Sequence, residues 1–201
     1  MAYHHGTLRA ALIQAALDLL DENGPDRLSV REAARRAGVS PGAPFRHFAD
    51  RGALMNAVAA VVLDDFRQHQ RRTLAEIADR PAMWAFGLGF VRYATRHPHR
   101  FELIRGTIYS GAPPEELRPH VDAVEELAAA AIATGQDAGE LRPGDPAIVH
   151  LAGHALVYGL SQMIVDGFVP AERAEALAAR VLDTFGMGVA EFKGIDRATV
   201  R

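Results

Sequence analysis

The sequence predicts an all-α chain in two parts, a three-helix unit over residues 1–50 and a larger helical unit over residues 51–201. Three observations carry that prediction. Ala, Leu, Glu and Arg dominate most segments, and a straight or minimal side chain loses little freedom in a helix. Apolar residues recur at three and four spacing, the period of one helix face. Gly and Pro cut the chain at about one-helix intervals, and no alternating strand pattern of useful length appears.

The first helix is predicted over Thr7 to Glu22, with Leu8, Leu12, Ala15, Ala16, Leu19 and Leu20 as its apolar stripe. Asn23-Gly24-Pro25 ends it, because Gly caps in the left-handed region and Pro cannot continue. Ser29-Val30-Arg31-Glu32 reads as a capping box opening a second helix to Ala37. A third helix is predicted from Ser40 to Phe48, with Pro41 at its first position. Asp50 caps a long fourth helix that reaches about Ile77, and Arg80-Pro81 breaks it. Further helices are predicted at about 82–97, 99–109, 115–134, 146–166 and 171–190, with a frayed tail after Lys193.

Composition bounds the chemistry. The chain has 201 residues, 49% hydrophobic and 23% charged, and no cysteine, so disulfides and thiolate metal sites are excluded. That is compatible with a reducing cytoplasm, where we expect the protein to act. The N-terminus shows no apolar core with a cleavage site. No uncharged apolar stretch long enough for a membrane span is apparent, so no membrane partner is expected. The formal net charge is -3. Residues 1–51 hold seven Arg against six acids, so +1, and the remainder then carries -4. The asymmetry has the right sign for a nucleic-acid contact in the N-terminal part, but it is small.

Between Ser29 and Phe48, two short helices joined through Gly38-Val39-Ser40 have the spacing of a helix-turn-helix. Gly38 can take the positive φ of the turn, and the small Ala33, Ala34 and Ala37 allow close crossing. The third helix would then lie in a DNA major groove with its N-terminal end toward base edges. Ser40 brings a hydroxyl and free helix-start amides that suit a phosphate. Pro41 and Gly42 permit close approach, Arg46 and His47 reach phosphates or bases, and Arg51 is placed for a backbone phosphate.

LSVREAARRAGVSPGAPFRHFADRGALMNAV, with YHHGTLRAALIQAALDLLDENG before it, resembles the DNA-binding domain of TetR-type regulators. The resemblance extends to the aromatic–x–His–aromatic run Phe45-Arg46-His47-Phe48. It implies phosphate contacts at Phe45, Arg51 and Ser29, base contacts at Ser40 to Gly42, and a wedging role for His47. Phe45 stands where the family usually has Tyr, so the hydroxyl contact is lost. Gly52 replaces a common polar residue, and Pro44 removes one bond inside the third helix.

MWAFGLGFVRYATRHPHRFELIRG is similar to a C-terminal domain subtype of the same family. ALVYGLSQMIVDG more loosely resembles a second signature, with His154 at a Trp position and Tyr158 at a His position. The resemblance implies a helical ligand-binding and dimerisation domain with an apolar pocket. Trp84, Phe86, Phe90, Tyr93 and Phe101 are candidates for its lining, as are Ile104, Tyr109, His154, Tyr158 and Met163. At the level of sequence each is either plain core or pocket wall. Tyr93, His154 and Tyr158 stand out, since a buried polar tip needs a partner that a ligand can supply.

The penultimate helix is apolar on nearly all sides, and the last offers Leu177, Val181, Leu182, Phe185 and Val189. Gly153, Gly159 and Gly186 allow close approach, so two copies are expected to form a two-fold four-helix interface. His150 and His154 have metal-ligand spacing on one helix face, but position 151 is Leu and no third ligand is evident. Gly87-Leu88-Gly89 lacks the rest of a dinucleotide loop, and no nucleophile elbow is present. No metal, cofactor or catalytic residue is therefore predicted. The expected partners are operator DNA, a small apolar effector and a second copy of the chain. A ligand-free architectural DNA-binding protein is the rival reading, and an all-α metal enzyme the remoter one.

Overall fold

The computed structural model describes residues 5–108, 112–141 and 143–187. Tyr109, the end of the last predicted helix and the predicted frayed tail lie outside them. Eight α-helices fill the described residues, which contain no strand: α1 (His5–Asn23), α2 (Val30–Arg36), α3 (Arg51–Glu76), α4 (Ala82–Arg96), α5 (Pro98–Ile108), α6 (Arg118–Asp137), α7 (Pro146–Val165) and α8 (Ala174–Met187). Short 3₁₀ turns precede α6 and α8, at Glu115–Leu117 and Ala171–Arg173, so both helices start three residues later than the sequence suggested.

Most predicted boundaries have a visible cause. The Gly24 amide donates to the Leu20 carbonyl at 2.9 Å with φ 78°, closing α1. Asp50 accepts from the Ala53 amide at 2.8 Å, and Asp145 from the Ala147 amide at 2.9 Å. Each satisfies one orphan donor at a helix start. The capping box before α2 is only half made. Ser29 Oγ accepts from the Glu32 amide at 3.2 Å, but the Glu32 carboxylate turns to Arg35 at 2.6 Å.

The predicted third helix does not form as an α-helix. Only a 3₁₀ turn, Ala43–Arg46, follows the Gly38 turn. An α-helix capped at Ser40 needs the residue-44 amide to donate to the Ser40 carbonyl, and Pro44 has none. The Ala43 amide makes that bond instead, one residue short, at 3.0 Å. Pro44 also disfavours the α conformation at Ala43.

Two cores share α3. The first packs α1 and α2 against the first half of α3, through Leu12, Leu20, Ala33, Leu54, Val58 and Val62. Leu103, Leu117 and Val121 from α5 and beyond join it, so the core runs across position 50 into the second unit. The second core begins at Phe66 and collects α4, α5, α7 and α8. Its centre is α4, which packs on α3, α5, α6, α7 and α8.

The structure corrects one reading of α7. It carries no Asp, Glu, Lys or Arg, and by length and composition alone it is apolar enough to cross a membrane. Much of it faces outward, with Ile148 62% and Leu151 65% exposed.

Candidate nucleic-acid interface and effector cavity

The N-terminal unit presents the predicted DNA-facing residues together. Gly38 turns at φ 69°, and the Val39 amide donates back to the Ala34 carbonyl at 3.0 Å. The chain then leaves Ser40, Pro41, Gly42, Phe45 and Arg46 exposed on one short segment. Phe45 is 53% exposed, an unusual position for a ring with no cover. Buried Pro44 and Phe48 hold that segment onto the core. His47 is half-buried, its ring tilted against Phe48 at 6.5 Å. Ser29 is half-buried and its hydroxyl is already engaged at the α2 cap.

Arg51 has a structural job that spacing did not reveal. Its Nε donates to the Leu28 carbonyl at 2.8 Å and its Nη2 to the Pro25 carbonyl at 2.6 Å. It ties the start of α3 to the linker between α1 and α2. Arg35 and Arg36 are paired with Glu32 and Glu22. Arg46 and Arg31 are exposed and hold no such pair among the described residues. Arg31, in the first turn of α2 beside Ser29, was not among the sequence candidates. The signal for it was its lack of a partner acid, which only the fold reveals.

The second unit encloses a cavity of about 120 Å³ between α3, α4, α5, α6 and α7. Of the predicted lining residues, Phe86, Phe90, Tyr93, Phe101, Ile104 and His154 line it. Phe90 is its hub, edge-on to Phe66 at 5.5 Å, Phe101 at 5.9 Å and His154 at 5.5 Å. Sequence reasoning missed Leu63 and Phe66 of α3 and Val124, Glu125 and Ala128 of α6. Those residues look like one more helix stripe until the fold shows what they face. His150, read only as a metal candidate, also lines the cavity.

Three candidates lie elsewhere. The Trp84 indole donates to Asp183 at 3.0 Å, with Arg80 over its ring at 4.3 Å, so it tethers α4 to α8. Met163 is 42% exposed, on the outer side of α7. Tyr158 stacks on His154 at 6.0 Å and meets Phe101 at 5.8 Å without lining the cavity.

Tyr93 lines the cavity, but its hydroxyl has protein partners. It donates to Asp65 Oδ2 at 3.0 Å, with the Val62 carbonyl at 3.3 Å. Burial, first of all, pushes its phenol up, so it stays protonated as a donor. Asp65 also accepts from Arg100 Nη1 at 2.9 Å, while Arg100 Nε and Nη2 hold both oxygens of Asp21 at 2.8 and 2.7 Å. A bidentate Arg pair of this kind fixes orientation as well as charge. The chain Tyr93–Asp65–Arg100–Asp21 therefore links α4 at the cavity to α3, α5 and α1 of the helix-turn-helix unit. Burial, and secondarily His150, pushes the His154 imidazole below the usual histidine range. Among the described residues no cluster of three metal-ligating side chains exists, so His150 and His154 stand without a third ligand.

This arrangement defines a helix-turn-helix DNA-binding protein whose second domain encloses a cavity. A sequence profile described as bacterial regulatory proteins of the tetR family matches residues 12–58. A second, described as the tetracyclin repressor-like C-terminal domain, matches residues 83–185. The chain belongs to the TetR family, whose members are transcriptional regulators and not enzymes. An uncharacterized HTH-type transcriptional regulator of Mycobacterium tuberculosis H37Rv is 45% identical over 75 residues, 37% of this chain and 38% of that protein. The class A tetracycline repressor of transposon 1721 in Escherichia coli is 43% identical over 58 residues, 29% of this chain and 27% of that one. The match thus spans well under half the length of these curated relatives. A solved protein of unknown function from Rhodococcus sp. RHA1 superposes with TM-score 0.77 and 28% identity, covering 90% of this chain and 96% of that one.

Proposed function

We propose that this chain is a ligand-responsive transcriptional repressor, released from a palindromic operator by a small, largely apolar molecule. The observation that carries the reading is that α3 belongs to both cores. Its Leu54, Val58 and Val62 hold the helix-turn-helix, while its Leu63 and Phe66 line the cavity. An occupant that presses on Leu63 and Phe66 acts on the helix that carries the DNA reader. The Tyr93–Asp65–Arg100–Asp21 chain gives a second, polar route between the same two places. For release, the occupant must bind the off-DNA arrangement better, since equal affinity for both shifts nothing.

In this reading two copies pair through α7 and α8. The exposed Ile148, Leu151, Met163 and Phe185 give that surface its apolar content. Gly159 and Gly186 face open space in the single chain, where a partner helix can approach. A two-fold dimer sets two reading segments about 34–36 Å apart in the simplest helix-turn-helix case. Ser40 to Gly42 and Phe45 meet the groove, Ser29 and His47 brace the docking segment, and Arg46 and Arg31 meet phosphates. Arg51 positions the unit by holding the α1–α2 linker. Its role on DNA is then chiefly indirect. Such a protein works in the cytoplasm, where its DNA is.

Selection of bound sequences from a random DNA pool tests the whole reading. A palindrome whose half-sites suit one dimer is expected. Recovery of DNA with no repeated half-site overturns it. Arg46→Ala should weaken binding about equally on all sequences and lower the salt slope by about one. An unchanged slope removes Arg46 from the interface.

A further inference from the structure

We propose that the cavity takes a hydrophobic amine, with an aromatic or aliphatic body among its phenyl rings and a protonated nitrogen at Glu125. The inference rests on the reading of this cavity as the effector site and names the head group of its occupant.

The walls settle the body. Phe66, Phe86, Phe90 and Phe101 bring four rings to one cavity, set edge to face where Phe90 meets Phe66 and Phe101. Such rings offer apolar area and negative faces. The charges settle the head. Among the described residues, Glu125 of α6 is the one carboxylate that lines the cavity, and no Lys or Arg lines it. Glu125 is exposed, so it stands at the rim and keeps its hydration when the cavity is empty. It holds no hydrogen bond or ion pair among the described residues. An anionic ligand would meet an acid there, with no cation among the described lining residues to balance it. A cationic one gains a charge-assisted hydrogen bond and adjacent ring faces.

The remaining polar groups agree. The Tyr93 hydroxyl is already committed to Asp65 and is not offered to a ligand. Burial disfavours the charged form of the His154 imidazole and so holds its pKa below the usual histidine range. An ammonium brings three donors and no acceptor. It therefore suits the acceptor carboxylate of Glu125 at the rim.

Three probes with one body separate the possibilities: 4-phenylbutylamine, 4-phenylbutanol and 4-phenylbutyrate, each titrated calorimetrically into the full chain near pH 7. The amine is expected to bind at least tenfold tighter than the alcohol, and the carboxylate most weakly. Glu125→Gln, an exposed substitution that leaves the fold intact, should erase the amine's advantage while alcohol affinity stays within about twofold. If the alcohol or carboxylate binds as well as the amine, or the advantage survives Glu125→Gln, the head-group inference fails and the effector-site reading stands. If none of the three binds, both fail.

Discussion

α4 and α7 are both strongly apolar helices, and the fold treats them in opposite ways. Every residue from Ala85 to Val91 of α4 is buried, as are Tyr93 and Ala94. Only Val157, Leu160, Ser161 and Ile164 of α7 are buried. The glycines mark the difference. A Cβ on Gly87 would come within 2.7 Å of Leu182 Cδ2, and one on Gly89 would collide with Gln70 Oε1. A Cβ on Gly159 would meet nothing within 4 Å. An apolar helix must be covered, but its sequence does not say by which chain. α4 is covered by its own fold, whereas α7 keeps an exposed apolar face in the single chain, the face proposed above to pair with a second copy.

The sharpest way to break the comparison is to enlarge a glycine on α4. Gly89→Leu should displace Gln70, whose Nε2 donates to the Phe86 carbonyl at 3.0 Å in a fully buried site. Overpacking and the lost bond together cost about 3 kcal/mol or more. Thermal unfolding should drop by roughly 10 °C, and an unchanged melting curve would show that α4 is not tightly enclosed. On α7, Leu151→Arg should do the reverse. At 65% exposure it should leave the secondary structure of the single chain unchanged. The dimer should dissociate, and operator binding with it. Sedimentation equilibrium reads this directly, and a persisting dimer rules α7 out of the interface.

The same contrast explains what was legible in the sequence. Caps and turns are local, so Ser29, Gly38 and Asp50 could be read in advance. The third helix was misjudged because Pro44 was weighed as one missing bond. That bond was the one an α-helix capped at Ser40 needs first. In the cavity, aromatic character identified Phe90, Tyr93 and Phe101, since large rings gather in cores and pockets alike. It misplaced Trp84, whose indole found Asp183 ninety-nine positions away. It also missed Glu125, because an exposed acid on an amphipathic helix carries no local mark of facing a cavity. Arg51 shows the same limit: its carbonyl partners lie 23 and 26 residues back.

From α4 at the cavity, the polar chain through Asp65 and Arg100 reaches Asp21 of the helix-turn-helix unit. Arg100→Ala should remove the link from Asp65 to Asp21. Its side chain is 16% exposed, but both acids are more than a third exposed, so the stability cost is modest, about 1–2 kcal/mol. The larger consequence is expected in coupling. Operator binding without ligand should persist, while the ligand concentration needed for release shifts several-fold. Release that is unchanged, measured by fluorescence anisotropy on labelled operator, means that α3 alone carries the signal.

The smallest effect should come where α4 and α7 touch, at Phe90 and His154. Burial holds the folded-state pKa of His154 below its unfolded value, so the unfolded chain binds more protons as the pH falls through about 6.5. His154 therefore subtracts stability on acidification and none at higher pH. His69 and His97, also held low by burial, act with the same sign. The melting temperature should fall between pH 7.5 and 5.5, and His154→Asn should make that fall shallower by a degree or two without abolishing it. An identical slope in the variant would mean that α7 lets water reach His154. The contact between the two helices would then be as open as the outer face of α7.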